Sequence, residues 1–194
     1  MSKIETNQVD PATGTTLTLG TSGDTISIPS GVTIANSGTA TGFGGTNTPA
    51  FYAKMSGTQT VNHNVTVKVQ FDTEVFDTDG CYDHSTNYRF TPTTAGKYLV
   101  TVNLYLDGGG QGNLRIYAPV IQKNGSTYAQ AGDDKAQGYQ NNGTETLSVI
   151  VDMNGSSDYL EVFMYHFTQD NSSSNVGGAN TEQAMLTAHK LIGV

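Results

Sequence analysis

The chain has 194 residues, enough for one domain of ordinary size plus an extension, with 23 glycines, no tryptophan and only 13% charged residues. Its formal net charge is −8 and its 9 lysines and arginines are scattered singly, so the basic field that nucleic acid or an anionic membrane surface requires is missing. Thr, Ser and Asn fill the polar positions, a composition that favours strands joined by polar turns over helices, and an all-β fold is expected.

The opening residues, Met1 to Asn7, contain no apolar run of signal-peptide length, and no later run reaches the length of a membrane span. The expectation is a soluble protein made in a cytoplasm, without membrane insertion. From Gly14 to Ile34 the chain alternates apolar and polar residues in three short pieces carrying Leu17 and Leu19, Ile26 and Ile28, and Val32 and Ile34. Gly20, Gly23, Pro29 and Gly31 punctuate them, so each piece is expected to be a short strand. Two apolar side chains per strand cannot bury a core, and such strands need two neighbours in a trimer or a surface to lie on. The Gly- and Thr-rich stretch up to Pro49 has the composition of a connector. The expected division is an arm over 1–49 and a head over 50–194.

In the head, strands are expected near Phe51–Met55, Val65–Phe71, Tyr88–Phe90, Lys97–Leu106, Asn113–Lys123, Thr127–Ala131, Thr144–Met153, Asp158–Phe167 and Met185–Val194. Asn124-Gly125 and Asn154-Gly155 are hairpin signals, because both residues accept the positive φ of primed turns. On the second of these hairpins Leu147, Val149, Val151 and Met153 would face Leu160, Val162 and Met164 of a paired strand. The other face of that strand presents Tyr159, Phe163, Tyr165 and Phe167, interrupted only by Glu161, and an aromatic row of this size marks an association surface.

Phe71, Asp77, Tyr82, Phe90, Gly96 and Tyr98, with the turn Pro92-Thr93-Thr94-Ala95-Gly96 leading into the alternation Tyr98, Val100, Val102, Leu104 and Leu106, form a recognisable series. It resembles the globular head of the complement C-one-q protein, a branch of the tumour-necrosis-factor-like jelly rolls. The resemblance covers roughly Ala50 to Val194 and implies a ten-stranded antiparallel sandwich that assembles as a homotrimer, with the row Tyr159, Phe163, Tyr165 and Phe167 at the trimer interface. The arm, with its Thr16-Leu17-Thr18-Leu19-Gly20 element, resembles the N-terminal segments of bacteriophage virion proteins that carry a C-terminal knob.

The chemistry-bearing residues give little. A single cysteine, Cys81, cannot form an internal disulfide framework or a cysteine-based zinc site. His63, His84, His166 and His189 lie far apart, and Asp77-Thr78-Asp79-Gly80 opens like a calcium loop but has Tyr88 where a bidentate Glu is required. Asp83, and the pair Asp133 and Asp134, read as solvated turn residues, with calcium binding in a jelly-roll loop as the alternative. No nucleophile motif, catalytic carboxylate pair, metal site or cofactor loop is present in the pattern, and an enzyme is not expected.

The functional expectation is a bacteriophage virion structural protein on the outer surface of the particle, a tail-fibre or receptor-binding module for host attachment. A capsid decoration or head-fibre protein is the alternative, and a bacterial surface adhesin the second alternative. Leu17, Leu19, Ile26, Ile28, Val32 and Ile34 would dock the arm to other virion proteins. Host glycan or protein would be contacted from the long connections Asp107–Gly112, Gly132–Gly143 and Gln169–Gln183, with Tyr139, Asn141 and Asn142 as the contact residues, because an aromatic ring among amides can stack and hydrogen-bond at once.

Overall fold

A computed structural model describes residues 9–38, 47–109, 113–134, 140–178 and 183–192. The chain divides into two compact units, Met1–Thr41 and Gly42–Val194. In the first, the described residues contain turns but no strand or helix. Gly20, Gly23 and Gly31 have φ of 82°, 95° and 85°, and the Asp24 carboxylate accepts from both the backbone N–H and the hydroxyl of Thr21. The alternating pieces therefore sit between formed turns without a ladder partner. The short strands expected there are not found among the described residues, because a β-ladder needs a second chain segment within hydrogen-bonding reach and the described residues of this unit supply none.

The described residues of the second unit form fourteen strands: β1 (Ala50–Lys54), β2 (Gln59–Val61), β3 (Thr66–Lys68), β4 (Thr73–Asp77), β5 (Tyr82–Asp83), β6 (Arg89–Phe90), β7 (Gly96–Asp107), β8 (Leu114–Lys123), β9 (Ser126–Gln130), β10 (Asp133–Asp134), β11 (Asn142–Met153), β12 (Leu160–Thr168), β13 (Ser174–Val176) and β14 (Met185–Lys190). The first sheet runs β2-β13-β7-β14-β1-β4, with β11 on the other edge of β7. The second runs β10-β8-β12-β6-β5, with β9 also on β8 and β3 also on β12. All the pairings are antiparallel, and the inward faces of the two sheets enclose one core.

The central strand β7 shows how the alternation works. Tyr98, Val100, Val102, Leu104 and Leu106 are fully or almost fully buried, while the residues between them are half-exposed. The signature aromatics meet in that core. Phe51 stacks on Tyr82 at 4.7 Å, Phe90 lies 4.9 Å from Phe51 and 5.4 Å from Tyr98, and the Tyr82 and Tyr98 hydroxyls donate to the carbonyls of Phe71 and Thr94. A buried tyrosine keeps its polar tip satisfied in this way while its ring packs.

Two sequence expectations need correction. Asn124-Gly125 does close a hairpin, with Lys123 opposite Ser126. Asn154-Gly155 does not: β11 pairs with β7 in the first sheet and β12 with β8 in the second, so Leu147, Val149, Val151 and Met153 meet Leu160, Val162 and Met164 across the core rather than along a ladder. The connection is a self-capped loop, in which the Asn154 side-chain oxygen accepts from the N–H groups of Ser156, Ser157 and Asp158. A side chain on Gly155 would meet the backbone of Thr94 and Ala95, so glycine there serves close approach to the β6–β7 turn. The short strands β2, β4, β5, β10 and β13 were not expected from sequence. β2, β5, β10 and β13 are too short for alternation to show, β4 has no alternation because Glu74, Val75 and Phe76 are all exposed, and β13 lies inside the connection Gln169–Gln183.

Candidate functional site

The acidic and thiol groups of the signature are structural. Asp77 accepts from the N–H groups of Asp79 and Tyr82, and the Cys81 thiol reaches the same carboxylate at 3.2 Å. Burial first, and then this carboxylate, push the thiol well above its usual range. Asp83 folds back on its own loop, accepting from the N–H groups of Ser85, Thr86 and Asn87, with the Thr86 bond the largest influence holding its carboxyl well below the usual range. Among the described residues no three His, Cys, Asp or Glu side chains come together as a bound metal would require.

Three of the expected long connections do converge at one end of the sandwich. Gly108 N–H donates to the Asn141 carbonyl, Leu114 bridges Gln140, and Gln169 N–H donates to the Asn113 carbonyl. Asn113 organises this end, donating to Asp170 and Ser172 and accepting from Asp170 N–H. Of the expected contact residues, Asn141 and Asn142 are exposed here, Asn142 opening β11 opposite Asp107, while Tyr139 lies outside the described residues. Beneath this end lie His63 and His166, their rings 6.4 Å apart and edge to face. His63 accepts from Thr168 N–H through Nδ1, whereas neither ring nitrogen of the fully buried His166 reaches a partner at hydrogen-bonding geometry. Burial, the largest influence, lowers the pKa of His166 against an opposing pull from the Ser172 backbone, and nearby His63 adds a smaller push in the same downward direction.

The six expected docking residues of the arm, Leu17, Leu19, Ile26, Ile28, Val32 and Ile34, are all exposed, by between 43% and 61%. None of the six belongs to the buried core cluster formed by the described residues.

The expected aromatic row stands on the outward face of the second sheet. Phe163, Tyr165 and Phe167 are half-buried rather than bare. Arg89 lies 4.7 Å over Tyr159, Lys68 5.9 Å over Phe163 and Arg115 5.6 Å over Phe167. Glu161 does not interrupt the row with a free charge, because it is buried in an ion pair with Lys68 at 2.6 Å.

The outward face of the first sheet is of the opposite kind. Leu99, Thr101, Asn103 and Tyr105 on β7 lie opposite Ile150, Ser148, Thr146 and Thr144 on β11, with Met185, Thr187 and His189 of β14 on the far side. No lysine, arginine, aspartate or glutamate occurs among these positions. Four of these side chains are paired within the chain: Thr101 and Ser148 hydroxyls are 2.8 Å apart, and Thr146 donates to Asn103, which donates to the Gln183 carbonyl. Ile150, at 52% exposure, is its largest exposed aliphatic side chain. This face was missed in the sequence because alternating Thr, Ser and Asn read as an ordinary solvated face. Only the register shows that they pair off.

No family model matches the chain, and no curated protein matches it. Among solved structures, murine APRIL at pH 8.0 matches with a TM-score of 0.53 at 10% identity, over 73% of this chain and 98% of APRIL. APRIL at pH 5.0 gives 0.52 at 9% identity over the same shares. The globular domain of zebrafish complement 1qA protein gives 0.49 at 10% identity, over 72% of this chain and 94% of that domain. The APRIL matches establish the fold as an all-β antiparallel jelly roll of the complement-head and tumour-necrosis-factor-like type expected from the sequence. Identities this low carry the fold alone.

Proposed function

We propose that the protein is a bacteriophage virion appendage on the outer surface of the particle, a homotrimer anchored through its arm, whose jelly-roll knob serves host attachment as a tail-fibre or receptor-binding module. The observation that carries this reading is the pairing of a self-sufficient head with an arm whose six apolar side chains all lie in water. An arm of that kind is an unfinished interface.

For the homotrimer, the outward face of β7, β11 and β14 is the better support, its uncharged middle lying between Asp107 at one end and the Lys97–Asp152 ion pair at the other. The Thr101, Ser148 and Thr146 hydroxyls and the Asn103 amide are already paired within the chain, so covering them with another copy costs little desolvation, and depletion of charge is what distinguishes the centre of an interface. The row Tyr159, Phe163, Tyr165 and Phe167 is the weaker support, because three of its rings already have a cation over them that burial would desolvate.

The second reading is a capsid decoration or head-fibre protein that docks through the same exposed arm residues. Electron microscopy of intact particles with the head labelled tests the choice. Label at the tail supports attachment, label over the shell supports decoration, and particles without label end both readings.

A further inference from the structure

We propose that the outward face of the second sheet carries a shallow trough that binds neutral carbohydrate, lying along β8 between the aromatic ridge of β12 and the amides of β9. The shape follows from the register. On β8 the outward residues Ala118 and Val120 are small, and they lie beside Tyr165 and Phe163 of β12. On the other side Val120 lies opposite Gln130, and Gln122 opposite Thr127. Small residues between tall ones leave a depression. Two hollows of about 320 and 340 Å³ follow it and share Gln130, the first lined by Thr66, Val120, Gln122, Thr127, Gln130 and Tyr165. Each is at the small end of ligand sites, and two in line suit a chain of rings better than one compact molecule.

Gly132 keeps the second hollow open. A Cβ there would stand 2.7 Å from that of Ala118 and 3.2 Å from the Tyr117 carbonyl. Its φ is not in the left-handed region, so the requirement is for space rather than for backbone freedom.

The lining chemistry selects the ligand. A sugar ring presents a C–H face that packs on an aromatic ring and hydroxyls that both donate and accept. Gln122 and Gln130 do both, as do the hydroxyls of Thr66 and Thr127. None of these four side chains has a hydrogen-bond partner among the described residues, so all four are available to a ligand. Tyr165 is oriented in advance by its hydroxyl bond to Asn64 at 2.8 Å, which lowers the ordering cost of stacking. Charge cancels around the trough, with Arg115 paired to Asp134 at 3.1 Å and Lys68 to Glu161, so no net field favours an anionic sugar.

The inference rests on the attachment reading for its role in the particle, yet soluble protein tests it separately. The full chain is applied to an array of neutral hexose and N-acetylhexosamine oligosaccharides, and the strongest binder is titrated calorimetrically against wild type, Gln130→Ala, Gly132→Val and, as a control on the exposed β1–β2 connection, Thr58→Ala. The expected result is binding of a neutral oligosaccharide that weakens tenfold or more in Gln130→Ala and in Gly132→Val and is unchanged in Thr58→Ala. Gln130→Ala removes only an exposed side chain, so it reads the trough even if Gly132→Val folds poorly. An array with no neutral binder, binding confined to anionic glycans, or affinity unaltered in Gln130→Ala overturns the proposal. A silent array with particles that still adsorb through this chain leaves attachment standing without the trough. Sugar binding by a chain found only on the shell leaves the trough without attachment.

Discussion

Phe90 shows what a single signature residue does. It lies between Phe51 and Tyr98 at 1% exposure, in a strand only two residues long, so tertiary packing rather than ladder length holds it. Phe90→Ala is expected to destabilise the head by about 3–5 kcal/mol in denaturant unfolding, through lost transfer energy and an unfilled cavity. His166 gives a pH prediction. Its pKa in the folded chain lies below the ordinary value of 6.5 because burial penalises the charged ring. Above that value neither folded nor unfolded chain carries the proton and stability is unaffected. As the pH falls below it, the unfolded chain binds a proton that the folded chain refuses, so stability declines. His166→Leu should flatten the stability profile between about pH 7 and pH 5. An unchanged slope in that variant would place the acid sensitivity elsewhere.

At the scale of elements, two Asn-Gly pairs with the same local signal have different outcomes. Asn124-Gly125 turns β8 back into β9 within one sheet, while Asn154-Gly155 starts a loop that carries the chain to the opposite sheet. The second loop is fixed by contacts remote in sequence. Asp158 accepts from Asn124 and pairs with Lys123 at 2.8 Å, and the lysine, the largest influence, pulls its carboxyl down to about 2. The arm is the other instructive element. Ordering each residue of backbone costs about 1–2 kcal/mol, and six aliphatic side chains left exposed cannot offset that within one chain. Deleting Met1 to Thr46 is therefore expected to leave a folded head with a cooperative thermal transition, and to abolish incorporation into particles. Particles that take up the truncated chain at normal copy number would move the anchor onto the head.

At the scale of the whole molecule, the two sheets present surfaces of different character, and each makes a distinct prediction for assembly. Ile150→Asp places a charge among the self-paired hydroxyls of the first sheet and is expected to convert the assembly to monomer by light scattering while leaving the core intact. Phe163→Asp changes the cation-covered face and is expected to leave the assembly unchanged. The reverse pattern would return the interface to the row of Tyr159, Phe163, Tyr165 and Phe167.

The sequence by itself determined the fold class. Period-two burial in β7, the Asn124-Gly125 turn and the aromatic series from Phe71 to Tyr98 depend on local spacing and on side chains that only a core satisfies. Spacing also placed Phe163, Tyr165 and Phe167 together on one face of β12, since alternation alone decides that much. Tertiary structure decided what lies beside them. That Lys68, Arg89 and Arg115 lie over the rings, that Gln122 and Gln130 line a trough with Tyr165, and that Thr101 finds Ser148 are facts of register between strands far apart in the chain. The same holds for the crossing of β11 and β12 into different sheets. A one-residue slip in a pairing turns every side chain of a strand to the other face, and that register is fixed by the packed core as a whole rather than by either strand alone.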